Sequence, residues 1–244
     1  MKSNYYILTI FMILLVSCTV KEESDSGKMS ASFKRFKSSG IRNEHHNEFY
    51  SRITTSTVTG LGYEEGVARR DPTGVIKVGD LYYVWYTRPP AGIPVVGQPN
   101  ANDTLRAYHW DLADIWCATS PDGVNWTEQG PAATRGPKGN FDARSVFTPD
   151  VLVANGKYYL FYQAAGTLEQ GQGRGDFRKN VIGMSWADSP DGPWTRWPEP
   201  ILSAGNDISW DANVVHDPTL IVRNGKYWLY YKSVPNRPDM LPPG

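Results

Sequence analysis

Cysteine and net charge are both scarce in this chain. Only Cys18 and Cys117 occur among its 244 residues, so a CxxC metal motif is absent. The 25 Lys and Arg residues balance the 25 Asp and Glu residues, and the formal net charge is 0. A neutral balance gives no indication of binding to nucleic acid or to an anionic surface. The apolar run at residues 5–16 is too short to span a bilayer as a helix.

A strand-turn-strand unit occurs three times along the chain. Each copy has an aspartate beside a proline, a short apolar strand, a two-residue turn and an aromatic strand, and the copies begin at residues 71, 149 and 217. Two of the turns are Asn-Gly, a strong hairpin signal because both turn residues need positive φ. Repetition at this period predicts an all-β protein of the β-propeller type, with one hairpin and one leading carboxylate in each blade.

The first two copies continue into two further strands. Residues 114–119 and 181–187 predict third strands, and a Ser-Pro-Asp-Gly turn follows each of them. Short fourth strands are predicted at residues 124–127 and 193–195. Each blade would then have four antiparallel strands, with tryptophans packing between neighbouring blades.

The third copy stops after its hairpin. Residues 234–244 form a Pro-rich tail without a third or fourth strand. Propellers have about 4–8 blades and close on themselves, which protects their strand edges. We therefore expect about two and a half blades here, and we expect the chain to be the front part of a longer protein.

The N-terminus has the pattern of an export signal. After Lys2 and the apolar run, the sequence Leu15-Val16-Ser17-Cys18 resembles the lipobox of bacterial lipoproteins, in which the cysteine is lipidated. A plain signal peptide is the alternative. We expect residues 1–18 to be the signal, residues 19–29 to be a flexible tether, and the protein to be lipid-anchored in the bacterial cell envelope, in the periplasm or at the outer-membrane surface.

Residues 30–60 differ from the repeats. They are rich in charged residues, and Phe33 and Phe36 lie three positions apart, as on one face of a helix. This predicts an N-terminal helical arm, followed by a partial propeller at residues 61–244. His45 and His46 are adjacent and cannot share a helical face, which favours solvated side chains over a metal site.

The leading aspartates are the candidates for chemistry. The first strand of each propeller blade lines the central axis, so Asp71, Asp150 and Asp217 are expected to converge on one funnel. Converging carboxylates serve glycoside hydrolysis, in which one carboxyl acts as acid and another as base or nucleophile. The alternative is that each aspartate caps a turn beside proline. For Asp71 we expect Arg69 and Arg70 to hold the carboxylate ionised.

Several stretches resemble glycoside hydrolase family 117, the α-1,3-L-neoagarooligosaccharide (neoagarobiose) hydrolases. They lie at residues 60–73, 82–87, 114–120, 141–150 and 215–219, within a resemblance that covers about residues 30–240. The segments at 69–72 and 144–149 are the most specific. Members of that family are five-bladed β-propellers related to family 43 glycosidases.

The resemblance implies an activity and roles for two aspartates. It implies an exo-acting hydrolase that releases 3,6-anhydro-L-galactose from the non-reducing end of neoagaro-oligosaccharides, with inversion. Asp71 matches the general base and Asp217 matches a second acidic residue that orients the site. The family's histidine acid and last glutamate lie on later blades, so activity of this chain alone is not expected. Asp150 matches a family position without a known catalytic role.

Three further residues are candidates for sugar binding. Trp110 lies in the long loop after the first hairpin, where it could stack on a sugar or pack between blades. Arg144 could bind hydroxyl groups or form a structural salt bridge, and His216 could bind hydroxyl groups. No cofactor or metal is indicated. The resemblance also implies a homodimer in which the N-terminal arm is exchanged, with an oligosaccharide as substrate and no nucleic acid as partner.

Two other functions fit the same residues. One is a carbohydrate-binding propeller without catalysis. The other is a family 43-like arabinosidase or xylosidase, which shares the carboxylates but lacks the sequence context at residues 69–72.

The lipid anchor can be tested through its cysteine. We expect Cys18→Ala to block processing or to release the mature protein from the membrane fraction, because the lipidated thiol is the only proposed attachment. Cys117→Ala is the matched control and should leave fractionation unchanged. Unchanged fractionation of Cys18→Ala, with no lipid mass on the N-terminal peptide, would contradict the prediction.

Overall fold

The computed structural model describes residues 56–168, 180–206 and 208–234. Within them, the regular structure consists of β-strands and one short 3₁₀ turn at Gln98–Asn100. The predicted signal, tether and helical arm fall almost entirely outside these residues, as does the Pro-rich tail. In the described part of the chain, no helix is long and apolar enough to cross a membrane.

The strands form three antiparallel sheets that follow the chain order. The first sheet contains β1 (Ile76–Val78), β2 (Leu81–Arg88), β3 (Asp114–Ser120) and β4 (Thr127–Ala133). The second contains β5 (Ser145–Ala154), β6 (Lys157–Ala165), β7 (Val181–Ala187) and β8 (Thr195–Arg196). The third is the hairpin of β9 (Val214–Arg223) and β10 (Lys226–Val234). The predicted all-β architecture, with two blades and half of a third, is confirmed.

Aromatic strands supply the packing between the first two blades. Trp85 on β2 and Tyr162 on β6 are fully buried, in one cluster with aliphatic side chains from both sheets. Trp194 of the second blade meets Trp85 edge-on, with ring centroids 5.8 Å apart. Aromatic pairs of this geometry add about 0.5–1.5 kcal/mol to their area burial. The predicted packing of tryptophans between blades is therefore present at this interface.

The third sheet packs on the second through a smaller cluster. Phe161, Ile182 and Val215 form its buried centre, and Leu220 and Leu229 of the hairpin pack against it. Successive side chains of the hairpin point to alternate faces of the sheet. The face turned away from the second blade therefore carries exposed side chains such as Trp228 and Tyr230. One apolar face of the hairpin is thus covered by the second blade.

The pairing of strands corrects the predicted equivalence of the aspartates. Arg70 pairs with Thr87, Phe147 with Gln163, and His216 with Lys232, each at the same place in its blade. The next residues along the chain, each followed by proline, are Asp71, Thr148 and Asp217.

Asp150 therefore does not correspond to Asp71. It lies two positions further along its strand, at the place of Thr73 and Thr219, because the prolines and not the aspartates mark equivalent positions. Its carboxylate accepts a hydrogen bond from the Leu220 backbone N–H at 2.7 Å. Asp150 thus joins the second blade to the third.

The fourth strand of the first blade begins later than predicted. The Asp122 carboxylate accepts hydrogen bonds from the N–H groups of Val124 and Asn125, at 2.8 and 2.7 Å. Trp126 N–H then donates to the Thr59 carbonyl at 3.1 Å. These bonds hold residues 124–126 in a turn, which an aspartate side chain favours over a strand. Pairing with β3 consequently starts at Thr127.

Gly183 on β7 provides a test of the packing. It lies opposite Tyr162, and a Cβ there would come within 2.6 Å of Tyr162 Cε2 and 2.8 Å of Phe141 Cε2. We expect Gly183→Ala to lower the free energy of unfolding by about 1–3 kcal/mol, the usual range for an overpacked core. Gly74→Ala is the control, since a Cβ at that residue would meet no atom within 4 Å. Equal urea midpoints for the two variants would contradict the packing described here.

Candidate active site

One cavity of about 600 Å³ opens where the first strands of the blades begin. Equivalent positions of all three blades line it. One set comprises Arg70, Phe147 and His216, and the next set comprises Asp71, Thr148 and Asp217. The predicted convergence therefore brings Asp71 and Asp217 to the same cavity, with Thr148 in the place predicted for a third carboxylate.

A backbone kink positions the second set. Asp71, Thr148 and Asp217 have φ values of 50°, 48° and 50°. Non-glycine residues rarely adopt this conformation, and each instance costs about 1–3 kcal/mol. Proline follows each of them, and it disfavours a helical conformation of the residue before it. The strand pairing of β5 and of β9 is also interrupted at this point.

Asp71 has one of the two predicted cationic partners. Arg70 Nε lies 3.3 Å from Asp71 Oδ2. The guanidinium of Arg69 instead binds Glu128 through Nε and Nη2, at 3.0 and 2.9 Å. Tyr86 donates a further hydrogen bond to Glu128 at 2.6 Å. The expectation that both arginines hold Asp71 is therefore wrong for Arg69. Its side chain instead joins the segment before β1 to β4 of the same blade.

The bond from Arg69 also favours the ionised form of its partner. The hydrogen bond from Arg69 lowers the pKa of the Glu128 carboxyl, against the opposing effect of partial burial. Glu128 therefore stays ionised and keeps Arg69 away from the cavity.

Asp217 lies between two basic side chains. Lys232 Nζ contacts Asp217 Oδ2, and His216 Nδ1 lies 3.7 Å from Asp217 Oδ1. Burial lowers the pKa of His216 below its ordinary value, Asp217 opposes that change, and Lys232 adds to it. The imidazole is therefore neutral at pH 7, where it can exchange hydrogen bonds with a hydroxyl group.

An aromatic stack forms another wall. Trp110 stacks with Tyr108 and with Phe147, at centroid distances of 5.2 and 4.6 Å, and all three residues line the cavity. Trp110 therefore packs against the second blade, as one of its two predicted roles requires, and it also lines the cavity. Its stacking on a sugar stays a prediction. Ser145 Oγ donates to the Trp110 carbonyl at 2.7 Å and fixes the loop there.

Arg144 does not line this cavity. Its side chain is 5% exposed, and it binds both carboxylate oxygens of Asp111, through Nε at 2.7 Å and Nη2 at 2.6 Å. It also donates to the carbonyls of Asn102 and Leu105, at 2.7 and 3.2 Å. Of the two roles considered for Arg144, the structure therefore shows the salt bridge with Asp111. This salt bridge anchors the loop that carries Trp110.

Among the cavity residues that the sequence analysis missed, four carry a side-chain amide or amine. Gln163 and Lys232 each follow the last tyrosine of an aromatic strand, so the repeat itself contained the signal for them. Asn180 and Asn213 lie just before β7 and β9, where no pattern marks them. In the described ranges, no group of three or more His, Cys, Asp and Glu side chains is placed to hold a metal ion.

His216 predicts a pH dependence of stability. Because its pKa is lower in the folded protein, the unfolded chain binds a proton first as the pH falls below about 6.5. Stability should therefore decrease from that pH downward and level off below the folded pKa. We expect His216→Gln to flatten this part of the curve in urea titrations between pH 7 and 5. His109→Gln, at an exposed histidine, is the control, and an equal effect of both variants would contradict the assignment.

Comparisons with known proteins bear on the whole described region. Residues 66–241 match the family model for glycosyl hydrolases family 43. A solved structure of Zg3597, a family 117 glycoside hydrolase of the marine bacterium Zobellia galactanivorans, is 39% identical with a TM-score of 0.67, and the match covers 74% of this chain and 53% of that one. A comparison with curated proteins gave no match.

Two more distant structures were also matched. One, described as a glycoside hydrolase, is 16% identical with a TM-score of 0.56 and covers 78% of this chain and 56% of its own. The other is CoXyl43, a β-xylosidase/α-arabinofuranosidase from a compost microbial metagenome, at 22% identity, a TM-score of 0.48 and coverages of 72% and 45%. The chain thus spans about half the length of the solved structures it matches. Since the family match extends over residues 66–241, the chain belongs to glycosyl hydrolases family 43, and its resemblance to glycoside hydrolase family 117 is confirmed.

Proposed function

We propose that this chain provides part of the active site of an exo-acting glycosidase. The enzyme would release 3,6-anhydro-L-galactose from the non-reducing end of neoagaro-oligosaccharides, with inversion. The observation that carries the proposal is the placement of Asp71 and Asp217 at equivalent kinked positions on one cavity. The similarity to a family 117 glycoside hydrolase at 39% identity supports the choice of substrate class.

Asp71 is the proposed general base. An inverting glycosidase needs an ionised carboxylate that removes a proton from the attacking water. Arg70 Nε lies 3.3 Å from Asp71 Oδ2 and can hold the carboxylate in position at the cavity. Asp71 remains partly exposed to the cavity, so a water molecule can reach it.

Asp217 is the proposed orienting carboxylate. Its contacts with Lys232 and His216 fix its position, and Lys232 supplies the opposite charge. His216 is uncharged at neutral pH, which suits it to hydrogen bonding with a sugar hydroxyl rather than to protonating a leaving group. Among the described residues, the carboxyl side chains that line the cavity are Asp71 and Asp217, and we assign neither of them as the acid.

The remaining walls suit a sugar ring. Ligand sites of about 300–1,000 Å³ usually combine apolar surface with a few placed polar groups, and this cavity falls within that range at about 600 Å³. The stack of Tyr108, Trp110 and Phe147 provides the apolar part. Side-chain amides provide hydrogen-bonding groups without charge. The cavity can therefore take a neutral, polyhydroxylated ligand.

A carbohydrate-binding function without catalysis is the second candidate. It is favoured by the aromatic and amide walls together with the lack of an assigned acid in the described part of the chain. A family 43-like arabinosidase or xylosidase is separated from the main proposal by its substrates. The lipid anchor, the envelope location and the homodimer rest on residues 1–60 and stay predictions.

The assignment of Asp71 gives a kinetic test in the full-length product of the gene. We expect Asp71→Asn to reduce kcat for neoagarobiose by about 10²–10⁴-fold, the usual contribution of a group that transfers a proton. The measurement is the release of 3,6-anhydro-L-galactose, followed by chromatography. Asp80→Asn, in the exposed turn between β1 and β2, is the matched control and should retain full activity.

The same assay separates the alternatives. Hydrolysis of xylobiose or arabinobiose in place of neoagarobiose would support the arabinosidase or xylosidase function. Sugar binding without turnover of any of these substrates would support the binding protein. Turnover by Asp71→Asn within about tenfold of wild type would remove Asp71 from the role of base.

A further inference from the structure

Thr87 on β2 is bonded to two blades at once. Its backbone pairs with Arg70 in both directions, because the Arg70 N–H donates to the Thr87 carbonyl at 3.1 Å and the Thr87 N–H donates to the Arg70 carbonyl at 2.9 Å. Its hydroxyl oxygen Oγ1 accepts a hydrogen bond from the Thr148 N–H of the second blade at 2.8 Å. One residue therefore holds both the segment that leads into the kink at Asp71 and the kink at Thr148.

The bond to Thr148 lies where regular strand pairing stops. The register of β5 against β6 shifts between Phe147 and Asp150, and Thr148 between them has a φ of 48°. Backbone N–H groups away from water are nearly always paired. At this point the partner is a side chain of the neighbouring blade, so the bond fixes the second kink against the first blade.

The place of Thr87 in its blade separates it from the residues that face the ligand space. Gln163 on β6 and Lys232 on β10 hold the equivalent places in the other blades, and both line the cavity. Thr87 is not among the described residues that line the cavity, and its exposure is 0%. Its hydroxyl is bonded to a backbone group instead. Thr87 can therefore affect a bound sugar only through the residues that it holds.

Those residues belong to two different parts of the site. On one side, Arg70 is followed directly by Asp71, the proposed base. On the other side, Thr148 is preceded directly by Phe147, on which Trp110 stacks with a centroid distance of 4.6 Å. The two bonded faces of Thr87 thus connect the base on the first blade with the aromatic wall that packs against the second.

We propose that the Thr87 hydroxyl is a positioning group that sets the distance between Asp71 and a sugar held at the aromatic wall. This inference rests on the proposed function, in which Asp71 is the general base. A water molecule is activated productively only when the base, the water and the reacting carbon are correctly spaced, and a misplacement of about 1 Å can cost on the order of 10²-fold in rate. A bond across the seam between the blades controls that spacing.

The test removes the hydroxyl in the full-length product of the gene. Valine has nearly the shape of threonine but no acceptor, so Thr87→Val takes away the partner of the Thr148 N–H. We expect kcat for neoagarobiose to fall by about 10- to 100-fold. KM should stay near the wild-type value, because the residues that line the cavity are unchanged. Thr87→Ser keeps the hydroxyl and should restore kcat to near the wild-type value.

Thr119 provides a matched control in the same blade. It is 8% exposed, and its Oγ1 accepts a hydrogen bond from Gln129 Nε2 at 2.8 Å. It pairs with Tyr83, which lies about 13 Å along β2 from Thr87 by strand geometry. Thr119→Val therefore loses a similar bond away from the cavity and should keep the wild-type kcat. If Thr87→Val does not fold, Thr87→Ala and Thr119→Ala give the same comparison without an added methyl group.

A double-mutant cycle with Asp71→Asn distinguishes positioning from general damage. If Thr87 acts through Asp71, Thr87→Val should change the residual turnover of Asp71→Asn by less than about twofold, because the base that it positions has gone. Damage to the fold would instead lower turnover by the same factor in both backgrounds.

The outcomes separate this proposal from the proposed function. Wild-type kcat in Thr87→Val overturns it, as does an equal loss in the presence and absence of Asp71. Failure of Thr87→Ser to restore kcat also overturns it, since the hydroxyl is then not the group that matters. Any of these results beside a strong loss in Asp71→Asn leaves the proposed base intact. Full activity of Asp71→Asn, or no turnover of any of the three sugars by the wild type, overturns the proposed function and this inference together.

Discussion

The site depends on one backbone constraint, the kink before proline at the start of each first strand. A residue with φ near +50° precedes proline in all three blades, a conformation that costs energy for any residue other than glycine. Packing on both sides of each strand overcomes that cost. Because the kink is repeated, the side chains of the kinked residues line the same cavity from different blades. Asp71 and Asp217 owe their place on one cavity to this geometry.

A second constraint fixes the aromatic wall of the cavity. The loop that carries Trp110 has little regular structure, and the buried pair of Arg144 and Asp111 holds it. Four hydrogen bonds from one guanidinium satisfy Asp111 and two loop carbonyls. A buried ion pair contributes little net stability when compared with apolar packing, but breaking it is costly. Its effect here is to give Trp110 a defined position although the segment that carries Trp110 is not a strand.

The repeat in the sequence predicted the blades well and the functional details less well. Hairpins, aromatic strands and the gathering of Asp71 and Asp217 all follow from local signals such as Asn-Gly turns and strand alternation. The place of Asp150 could not be recognised by composition alone, because the proline and not the carboxylate marks the register. The separate roles of Arg69 and Arg70 depend on Glu128, a residue far away in the sequence. Asn180 and Asn213 have no local signal, since their position at the cavity results from the packing of one blade on the next.

The bond from the Leu220 N–H to the Asp150 carboxylate has a consequence for assembly. The seam between the first two blades uses another acceptor at another register, where the Thr148 N–H donates to Thr87 Oγ1 at 2.8 Å. Burial raises the pKa of the Asp150 carboxyl, so the ionised acceptor is less favourable at this position than it would be in water. The two seams therefore differ in both the chemistry and the position of the bond that joins the blades. Hairpins of one sequence pattern are thus joined by bonds that are not interchangeable from one seam to the next.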